Sequence, residues 1–198
     1  TGTGEKNANV FVKVIDEKEN ILETRSKIGT DGTFNLPMDL SSLQDGEVTV
    51  EVYLMDEAGN LSATSKKVLT KDTVLPTQIE VEALPGIFSG NVDNFEIKGT
   101  ADPLLQIEMK ITDGVSEENF LFMTDGVGNF SETVDMTGFQ DGNISITFNG
   151  IDKAGNKSEL TTMNIMKDTV IENIQLGEID EFINRTNQHA FMLSGGSK

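Results

Sequence analysis

The sequence predicts an all-β fold of tandem β-sandwiches, each about 96 residues long. Three observations lead to this prediction: apolar and polar residues alternate with a period of two, turn-forming residues separate the alternating runs, and the whole pattern repeats along the chain. A period of two places every other side chain on the same face of a strand, and helical periodicity is nearly absent. The 198 residues allow one or two domains at about 150 residues per domain.

An internal repeat with an offset of 96 residues covers most of the chain. Residues 34–73 align with residues 130–169 without a gap, and 13 of the 40 positions are identical. The identical positions include Gln-Asp-Gly at 44–46 and 140–142, Asp-x-Ala-Gly-Asn at 56–60 and 152–156, and Lys-Asp-Thr at 71–73 and 167–169. Three motifs in one register indicate that the two segments fold in the same way.

Alternating apolar residues predict a core strand at equivalent positions of the two repeats. The residues expected to face the cores along these strands are Val48, Val50, Val52 and Leu54 in the first repeat and Ile144, Ile146 and Phe148 in the second. A second pair of strands is expected at Val10–Val14 and Leu105–Ile111, and a third at Phe95–Ile97 and Phe191–Leu193. Asp-Gly pairs and the two Ala-Gly-Asn turns separate the strands, because Gly and Asn tolerate positive φ.

Residues 77–168 are expected to form one complete seven-stranded unit. The predicted strands lie near 78–83, 93–98, 104–112, 119–124, 129–135, 143–151 and 158–166. Seven short strands in about 96 residues is the spacing of an immunoglobulin-like β-sandwich.

The repeat predicts three segments. Residues 1–73 form an Ig-like repeat that lacks its first two strands, residues 74–168 form a complete repeat, and residues 169–198 supply the first two strands of a third. The linkers are then 71–77, which Pro76 stiffens, and 167–173, which has Val170-Ile171-Glu172 instead of a proline and is expected to be less rigid.

The order of motifs resembles the bacterial Ig-like repeats of large secreted adhesins and biofilm-associated proteins. The resemblance rests on Gly-Thr-Ala-Asp at 99–102, Asp-Gly-Thr-Phe at 31–34, the two Asp-x-Ala-Gly-Asn motifs, and Lys-Asp-Thr at 71–73 with a following proline. It covers essentially the whole chain. It implies an extracellular location at a bacterial cell surface, and calcium bound near the junctions between repeats.

Composition excludes several classes of function. The chain has 33 acidic and 15 basic residues, a net charge of −18, which disfavours nucleic acid and anionic membranes because both attract clustered Lys and Arg. It has no cysteine, so disulfides, thiolate nucleophiles and zinc knuckles are excluded. No apolar stretch in this segment is long enough for a transmembrane helix or a signal peptide.

Acidic and amide residues of the turns suggest an interdomain calcium site. In a seven-stranded sandwich the incoming linker and two of the turns are expected to meet at one end, and the exit end of the preceding domain is expected to bring a further aspartate to it. Oxygen ligands with flexible geometry suit Ca²⁺, which takes about six to eight of them. The expected ligands are Asp45, Asp72, Asp102, Asp152 and Asn156.

The same reasoning gives two weaker sites. One consists of Glu5, Asp56 and Asn60 at the N-terminal end, and the other is half a site made of Asp141 and Asp168 at the far end. The competing interpretation is turn chemistry, because Asp and Asn side chains hydrogen-bond to the local backbone in tight turns without any metal.

No catalytic site is expected. The single histidine, His189, lies in a predicted loop and is interpreted as a surface residue. Paired carboxylates would be needed for a glycosidase, but here the acids recur with the repeat as structural residues do, and no aromatic platform for sugar accompanies them.

The sequence therefore favours a structural stalk, in which Ig-like rods stiffened by calcium hold a binding tip away from the cell. Its partners would be neighbouring repeats, and any host or matrix ligand would be bound outside this segment. One alternative is a self-assembling fibre or S-layer-type subunit, in which the last two strands of one molecule complete the first repeat of the next. Another alternative is a carbohydrate- or protein-binding module, for which Tyr53 is the only residue of the usual kind.

Overall fold

The structure, a computed structural model, describes residues 1–171, 173–177, 179, 183–186, 188 and 191–197. His189 lies outside the described residues. The chain divides into two compact units, one of residues 1–76 with 151–157 and the other of residues 77–150 with 158–198. The division into repeats at 73/74 and 168/169 stays a prediction.

The first unit contains two antiparallel sheets. Its strands are β1 (Gly2–Thr3), β2 (Asn9–Asp16), β3 (Ile21–Lys27), β4 (Thr33–Phe34), β5 (Gly46–Met55) and β6 (Ser65–Lys71). A four-stranded sheet has the order β3-β2-β5-β6, and β1 pairs with β4 alone. Strand β2 lies inside the larger sheet, and its buried residues alternate with half-buried ones, as the period-two pattern predicts.

The second unit is a seven-stranded sandwich. Its strands are β7 (Glu80–Val81), β8 (Phe95–Thr100), β9 (Gln106–Thr112), β10 (Glu117–Met123), β11 (Asn129–Val134), β12 (Gly142–Ile151) and β13 (Thr161–Lys167). One sheet has the order β10-β9-β12-β13, and the other has the order β11-β8-β7. Each of the seven predicted strands is present, with its ends shifted by a few residues, so the sequence prediction of the all-β sandwich is confirmed.

A short parallel contact ties the start of the second unit to its last strand. Ile87 forms an isolated parallel bridge with Lys167. The Ile87 N–H donates to the Met166 carbonyl, and the Asp168 N–H donates to the Ile87 carbonyl, each at 2.9 Å. This contact places Ile87 in the core at 2% exposure.

The two units share one packing plan but bury different amounts of apolar surface. The core of the second unit contains 15 buried residues, and Phe148, Ile144, Ile146 and Ile107 among them are completely buried. The core of the first unit contains six, and Val50, Val52 and Leu54 on β5 are only half-buried. Burial of apolar side chains contributes roughly 1.5–3 kcal/mol each, so the first unit has much less to stabilise it.

The last two strands form a two-stranded sheet of their own. Strand β14 (Ile174–Leu176) pairs antiparallel with β15 (Gly195–Ser197). The strand predicted at Phe191–Leu193 is wrong in its position, because residues 191–194 have no regular structure and the strand begins at Gly195. None of the described residues form a helix with the length and apolar character that crossing a membrane takes.

Candidate functional site

The exit from the second unit is held by a cluster that we call the linker clamp, made of Asp141, Lys167 and Thr169. The Lys167 side chain is 5% exposed, and its Nζ donates to Asp141 Oδ1 at 2.8 Å and to the Phe139 carbonyl at 2.9 Å. The Thr169 N–H and hydroxyl both donate to the Asp141 carboxylate at 3.0 Å. The carboxylate therefore fixes the last residue of β13 and the linker that follows it.

The first unit has the same clamp at Asp45, Lys71 and Thr73. Lys71 Nζ donates to Asp45 Oδ1 at 2.7 Å, the Thr73 N–H donates to Oδ2 at 3.0 Å, and the Thr73 hydroxyl donates to Oδ2 at 2.8 Å. The Lys71 bond and the two Thr73 bonds lower the pKa of Asp45 to about 2. The pKa of Asp141 is lowered for the same reason, chiefly by Lys167.

In each unit a second aspartate holds the Gln-Asp-Gly loop that contains the clamp aspartate. Asp16, at the end of β2, accepts the backbone N–H of Gln44 at 2.8 Å, and Asp113, after β9, accepts that of Gln140 at 2.7 Å. The Gln44 bond is the main cause that lowers the pKa of Asp16 to about 2. The Gln-Asp-Gly loop is therefore held at two consecutive positions in both units.

The start of the second unit is tethered in a similar way. Asp102 accepts the N–H of Thr77 and the hydroxyl of Thr77, each at 2.8 Å. Thr73 is tethered in the first unit, so only residues 74–76 separate two backbone positions that a carboxylate fixes. The last of these residues is Pro76, whose ring fixes φ.

The Ala-Gly-Asn turns are closed by their own side chains. Asp56 accepts the backbone N–H and the side-chain amide of Asn60, each at 2.7 Å. Asp152 makes the equivalent bonds to Asn156 at 2.9 and 2.8 Å. In both turns the Asn side-chain bond is the main cause that lowers the pKa of the aspartate.

The remaining expected calcium ligands have simpler environments. Asp72 accepts the Val74 N–H at 3.1 Å, and Asp168 accepts the Val170 N–H at 3.3 Å. Glu5 is exposed, and its carbonyl accepts the Ala8 N–H. Asn156 is the one amide ligand, and within the first compact unit its Nδ2 donates to the Asp72 carbonyl at 3.2 Å.

The described residues contain no group of three or more His, Cys, Asp or Glu side chains placed to hold a metal ion. In Asp45, Asp102, Asp56, Asp152 and Asp141 the carboxylate oxygens instead accept hydrogen bonds from linkers and turns. Turn and linker chemistry accounts for these contacts, and calcium binding stays a prediction.

Sequence reasoning found the residues of the clamp but not their pairing. It interpreted Gln-Asp-Gly as a turn and Lys-Asp-Thr as a linker. The aspartate of the first motif precedes the lysine of the second by 26 residues in both repeats. A repeat without gaps keeps every separation constant, so this spacing alone does not indicate the contact.

An aromatic pair on the first unit was also missed. The rings of Phe11 and Tyr53 stack in parallel, with centroids 5.0 Å apart and an interplanar angle of 5°. The two residues are directly opposite on β2 and β5, so the contact follows from the register. Each ring covers a face of the other, and ligand binding by this surface stays a prediction.

Comparison with solved structures returned proteins with repeated modules. A tetra-tandem repeat from the extending region of a large adhesion protein is 24% identical, with a TM-score of 0.45, over 90% of this chain and 47% of that chain. A 1.5-MDa bacterial ice-binding adhesin is 17% identical, with a TM-score of 0.39, over 90% of this chain and 60% of that chain. Fibronectin(III)-like modules of Clostridium thermocellum CbhA are 13% identical, with a TM-score of 0.44, over 85% of this chain and 81% of that chain.

The chain spans about half the length of the first of these structures and 60% of the second. No curated protein matches the sequence. The family model of the bacterial Ig domain matches residues 1–72. Residues 1–72 are therefore similar to the bacterial Ig domain, the family that the repeated motifs resemble.

Proposed function

We propose that this chain is a spacer segment of a bacterial cell-surface adhesin, in which Ig-like sandwiches follow one another and hold a binding region away from the cell. The observation that carries the proposal is the linker after the first unit. A carboxylate of the preceding unit holds Thr73, and a carboxylate of the following unit holds Thr77. A spacer needs joints of limited freedom, and these tethers limit the freedom of the backbone.

The physical argument concerns how many torsions remain free. Between the tethers lie Val74, Leu75 and Pro76, and the proline contributes no free φ. Ordering a residue costs about 1–2 kcal/mol of conformational entropy. For the two tethered linker residues, hydrogen bonds within each folded unit offset this cost, so no binding partner is needed to order them. The clamp bonds are charge-assisted, so they are stronger than neutral hydrogen bonds.

Charge and composition support the same role. A net charge of −18 makes neighbouring copies repel one another and keeps the protein soluble. The chain folds without cysteine, which suits a protein exported without an oxidising catalyst. Its acidic side chains accept bonds in turns and linkers, a use that needs no catalytic role.

The order of the joint can be measured by the distance between two spin labels. The chain has no cysteine, so Glu23→Cys and Glu118→Cys give one exposed label in each unit. We expect a single narrow distance distribution. Asp45→Ala should broaden it, because both tethers of Thr73 are lost.

The matched control is Asp39→Ala. Asp39 accepts the Ser41 N–H within its own turn and makes no bond to the linker, so its loss should leave the distribution narrow. A broad distribution in the unchanged chain, or equal broadening by both variants, would contradict the spacer proposal.

Calcium stiffening is a separate part of the proposal, with Asp45, Asp72, Asp102, Asp152 and Asn156 as the proposed ligands. Ca²⁺ favours oxygen ligands of this kind, and binding to the folded state alone raises stability by mass action. We expect a higher melting temperature in millimolar calcium than in chelator, and a smaller rise in magnesium. Equal melting temperatures in calcium and chelator would remove calcium from the proposal and leave the spacer role standing.

A further inference from the structure

Strand β10 lies at the edge of the four-stranded sheet of the second unit. The sheet order is β10-β9-β12-β13, and every residue of β10, Glu117–Met123, pairs antiparallel with β9. Within the residues that the structure describes, no strand pairs with the other side of β10. A row of its backbone N–H and C=O groups therefore faces outwards, and such a row is a template for a further strand.

The second part of this edge strand, Asn119–Met123, carries no charge. The side chains of Leu121 and Met123 are 65% and 60% exposed. Phe120 and Phe122 alternate with them, are half-buried, and pack against the core of the second unit. An uncharged edge strand with exposed apolar side chains is a site at which a strand of another molecule adds.

The equivalent edge strand of the first unit is protected. Strand β3 (Ile21–Lys27) stands 96 residues before β10 and has the same place in its sheet, whose order is β3-β2-β5-β6. Where β10 has exposed Leu121 and Met123, β3 has exposed Arg25 and Lys27. Charged side chains on an edge strand discourage the addition of another strand. The second unit therefore lacks, on the same strand, the protection that the first unit has.

Strand β10 is complementary to itself when two copies run antiparallel about a two-fold axis at Phe120. In this register every residue of β10 has a partner on the other copy, and Asn119 lies opposite Leu121. The two Leu121 side chains are then diagonal neighbours across the axis, at a distance that long side chains can span. The contact therefore covers apolar surface that is exposed in a single copy.

The charges of β10 agree with this register. Its two charged residues, Glu117 and Glu118, lie opposite Met123 and Phe122 of the other copy, so no acid faces an acid. Like charges directly opposite each other would destabilise the pair of strands. The charge of Glu117 is also compensated within its own copy, because its Oε2 lies 2.6 Å from Lys110 Nζ on β9.

We propose that two copies of this chain associate through β10, so that their four-stranded sheets join into one continuous sheet. Both copies use the same strand, so the contact is symmetric and association stops at a dimer. Main-chain hydrogen bonds hold the strands together, and the exposed apolar side chains of β10 add to the contact. This inference goes beyond the spacer role, since it concerns association between molecules and not the joint within one.

The first test is the mass of the 198-residue chain by sedimentation equilibrium as its concentration rises. We expect the weight-average mass to rise to that of a dimer and no further. Added salt should tighten the dimer, because two copies with a net charge of −18 repel each other and salt screens this repulsion. Growth beyond a dimer would overturn the proposal. A monomer at every concentration up to about 1 mM would also overturn it, and would leave the edge to a strand of another protein.

The double variant Leu121→Arg with Met123→Lys gives β10 the charged residues of β3. Strand β3 forms with these residues exposed, so we expect the variant to fold, which circular dichroism checks. It should weaken dimerisation more than about 100-fold, because the charged side chains protect the edge. The matched control is Met166→Lys, since Met166 is 60% exposed on β13 at the opposite edge of the same sheet. Equal weakening by the control would place the contact elsewhere and overturn the proposal.

Disulfide formation tests the register, in a chain without native cysteine. A mixture of Asn119→Cys and Leu121→Cys chains should form a disulfide-linked heterodimer, because directly opposite residues have Cα atoms about 4.5–5.5 Å apart, within the range of a disulfide. Asn119→Cys alone should form disulfides much more slowly, since its two cysteines are displaced along the strands instead of lying opposite each other. Equal rates in the mixture and in Asn119→Cys alone would overturn the pairing of β10 with itself.

Discussion

Lys167 carries a charged group into a position that is 5% exposed, where its Nζ bonds to Asp141 and to the Phe139 carbonyl. Replacing it with Met keeps the apolar stem but removes the donor from a buried carbonyl. We expect Lys167→Met to lower the free energy of unfolding of the second unit by about 1–3 kcal/mol, measured by urea titration.

The control for this prediction is the exposed pair of Lys98 and Glu96, whose nitrogen and oxygen are 2.8 Å apart with side chains 44% and 53% exposed. Exposed ion pairs are screened by water and salt, so Lys98→Met should leave the unfolding midpoint unchanged. Equal midpoint shifts for both variants would show that burial of Lys167 is irrelevant to its contribution.

Acid sensitivity follows from the lowered pKa values of Asp16 and Asp45, both about 2 against an ordinary 3.8. A carboxylate with a lowered pKa in the folded state stabilises the fold above its ordinary pKa. That contribution is lost as the pH falls from about 4 towards 2. The melting temperature of the unchanged chain should exceed that of Asp16→Asn by a constant amount at neutral pH, and the difference should shrink in this acid range.

Thermal melts followed by circular dichroism across pH measure that difference. The Asp31→Asn variant is a useful comparison, because Asp31 bonds only to Thr33 in its own turn. A difference for Asp16→Asn that stays constant down to about pH 2 would mean that the bond to Gln44 does not depend on the charge of Asp16.

At the scale of single residues, the sequence predicted which aspartates and asparagines lie in turns. Asp56 with Asn60 and Asp152 with Asn156 are local pairs, so their bonds follow from turn chemistry alone. The partners of Asp45 and Asp141 lie 26 residues or more away in sequence. They meet because β5 pairs with β6 and β12 with β13 in one register, which propensity alone does not specify.

Turns between elements give the next prediction. Gly128 and Gly114 have φ of +93° and +89°, so an alanine is strained at either position. A Cβ on Gly128 would also meet the Ala101 carbonyl, while a Cβ on Gly114 meets nothing within 4 Å. We expect Gly114→Ala to lower the free energy of unfolding by about 1–2 kcal/mol, and Gly128→Ala to lower it by about 3 kcal/mol or more.

Urea unfolding of the two variants under the same conditions separates strain from collision. Both glycines belong to the second unit, so the same transition reports on each. Equal losses of unfolding free energy would show that the close approach of the loop after β10 to Ala101 relaxes at no cost.

Strands were predicted well where the sequence alternates between apolar and polar residues and the strand also pairs with a neighbour. Strands β8, β9 and β12 have both a period-two pattern and neighbours, and their positions are confirmed. Phe191–Leu193 has the pattern as well, but within the described residues no strand forms there. Alternation indicates which face a strand would bury, and pairing decides whether the strand exists.

The whole molecule has two units of unequal core, and this was only partly predictable. The repeat predicted that residues 1–73 lack the first two strands of the sandwich. It did not show that Val50, Val52 and Leu54 would stay half-buried as a result. Burial depends on what packs against a strand from the opposite sheet, which is a property of the assembled sandwich.

Unequal cores predict that the first unit unfolds at lower denaturant concentration than the second. Tyr53 is the only tyrosine and the chain has no tryptophan, so tyrosine fluorescence reports on the first unit alone. Circular dichroism reports on both units. In dilute solution we expect the unfolding transition seen by fluorescence to be complete at a lower denaturant concentration than the transition seen by circular dichroism.

Core substitutions assign the two transitions. Phe148 is completely buried in the second unit. Phe148→Ala should therefore lower the free energy of unfolding in the later transition by about 3–5 kcal/mol and leave the transition seen by tyrosine fluorescence unchanged. Val12 is 9% exposed in the core of the first unit, and Val12→Ala should shift the fluorescence transition by about 2 kcal/mol. Coincident transitions that both variants move together would show that the two cores unfold as one, since independent cores respond separately to substitution.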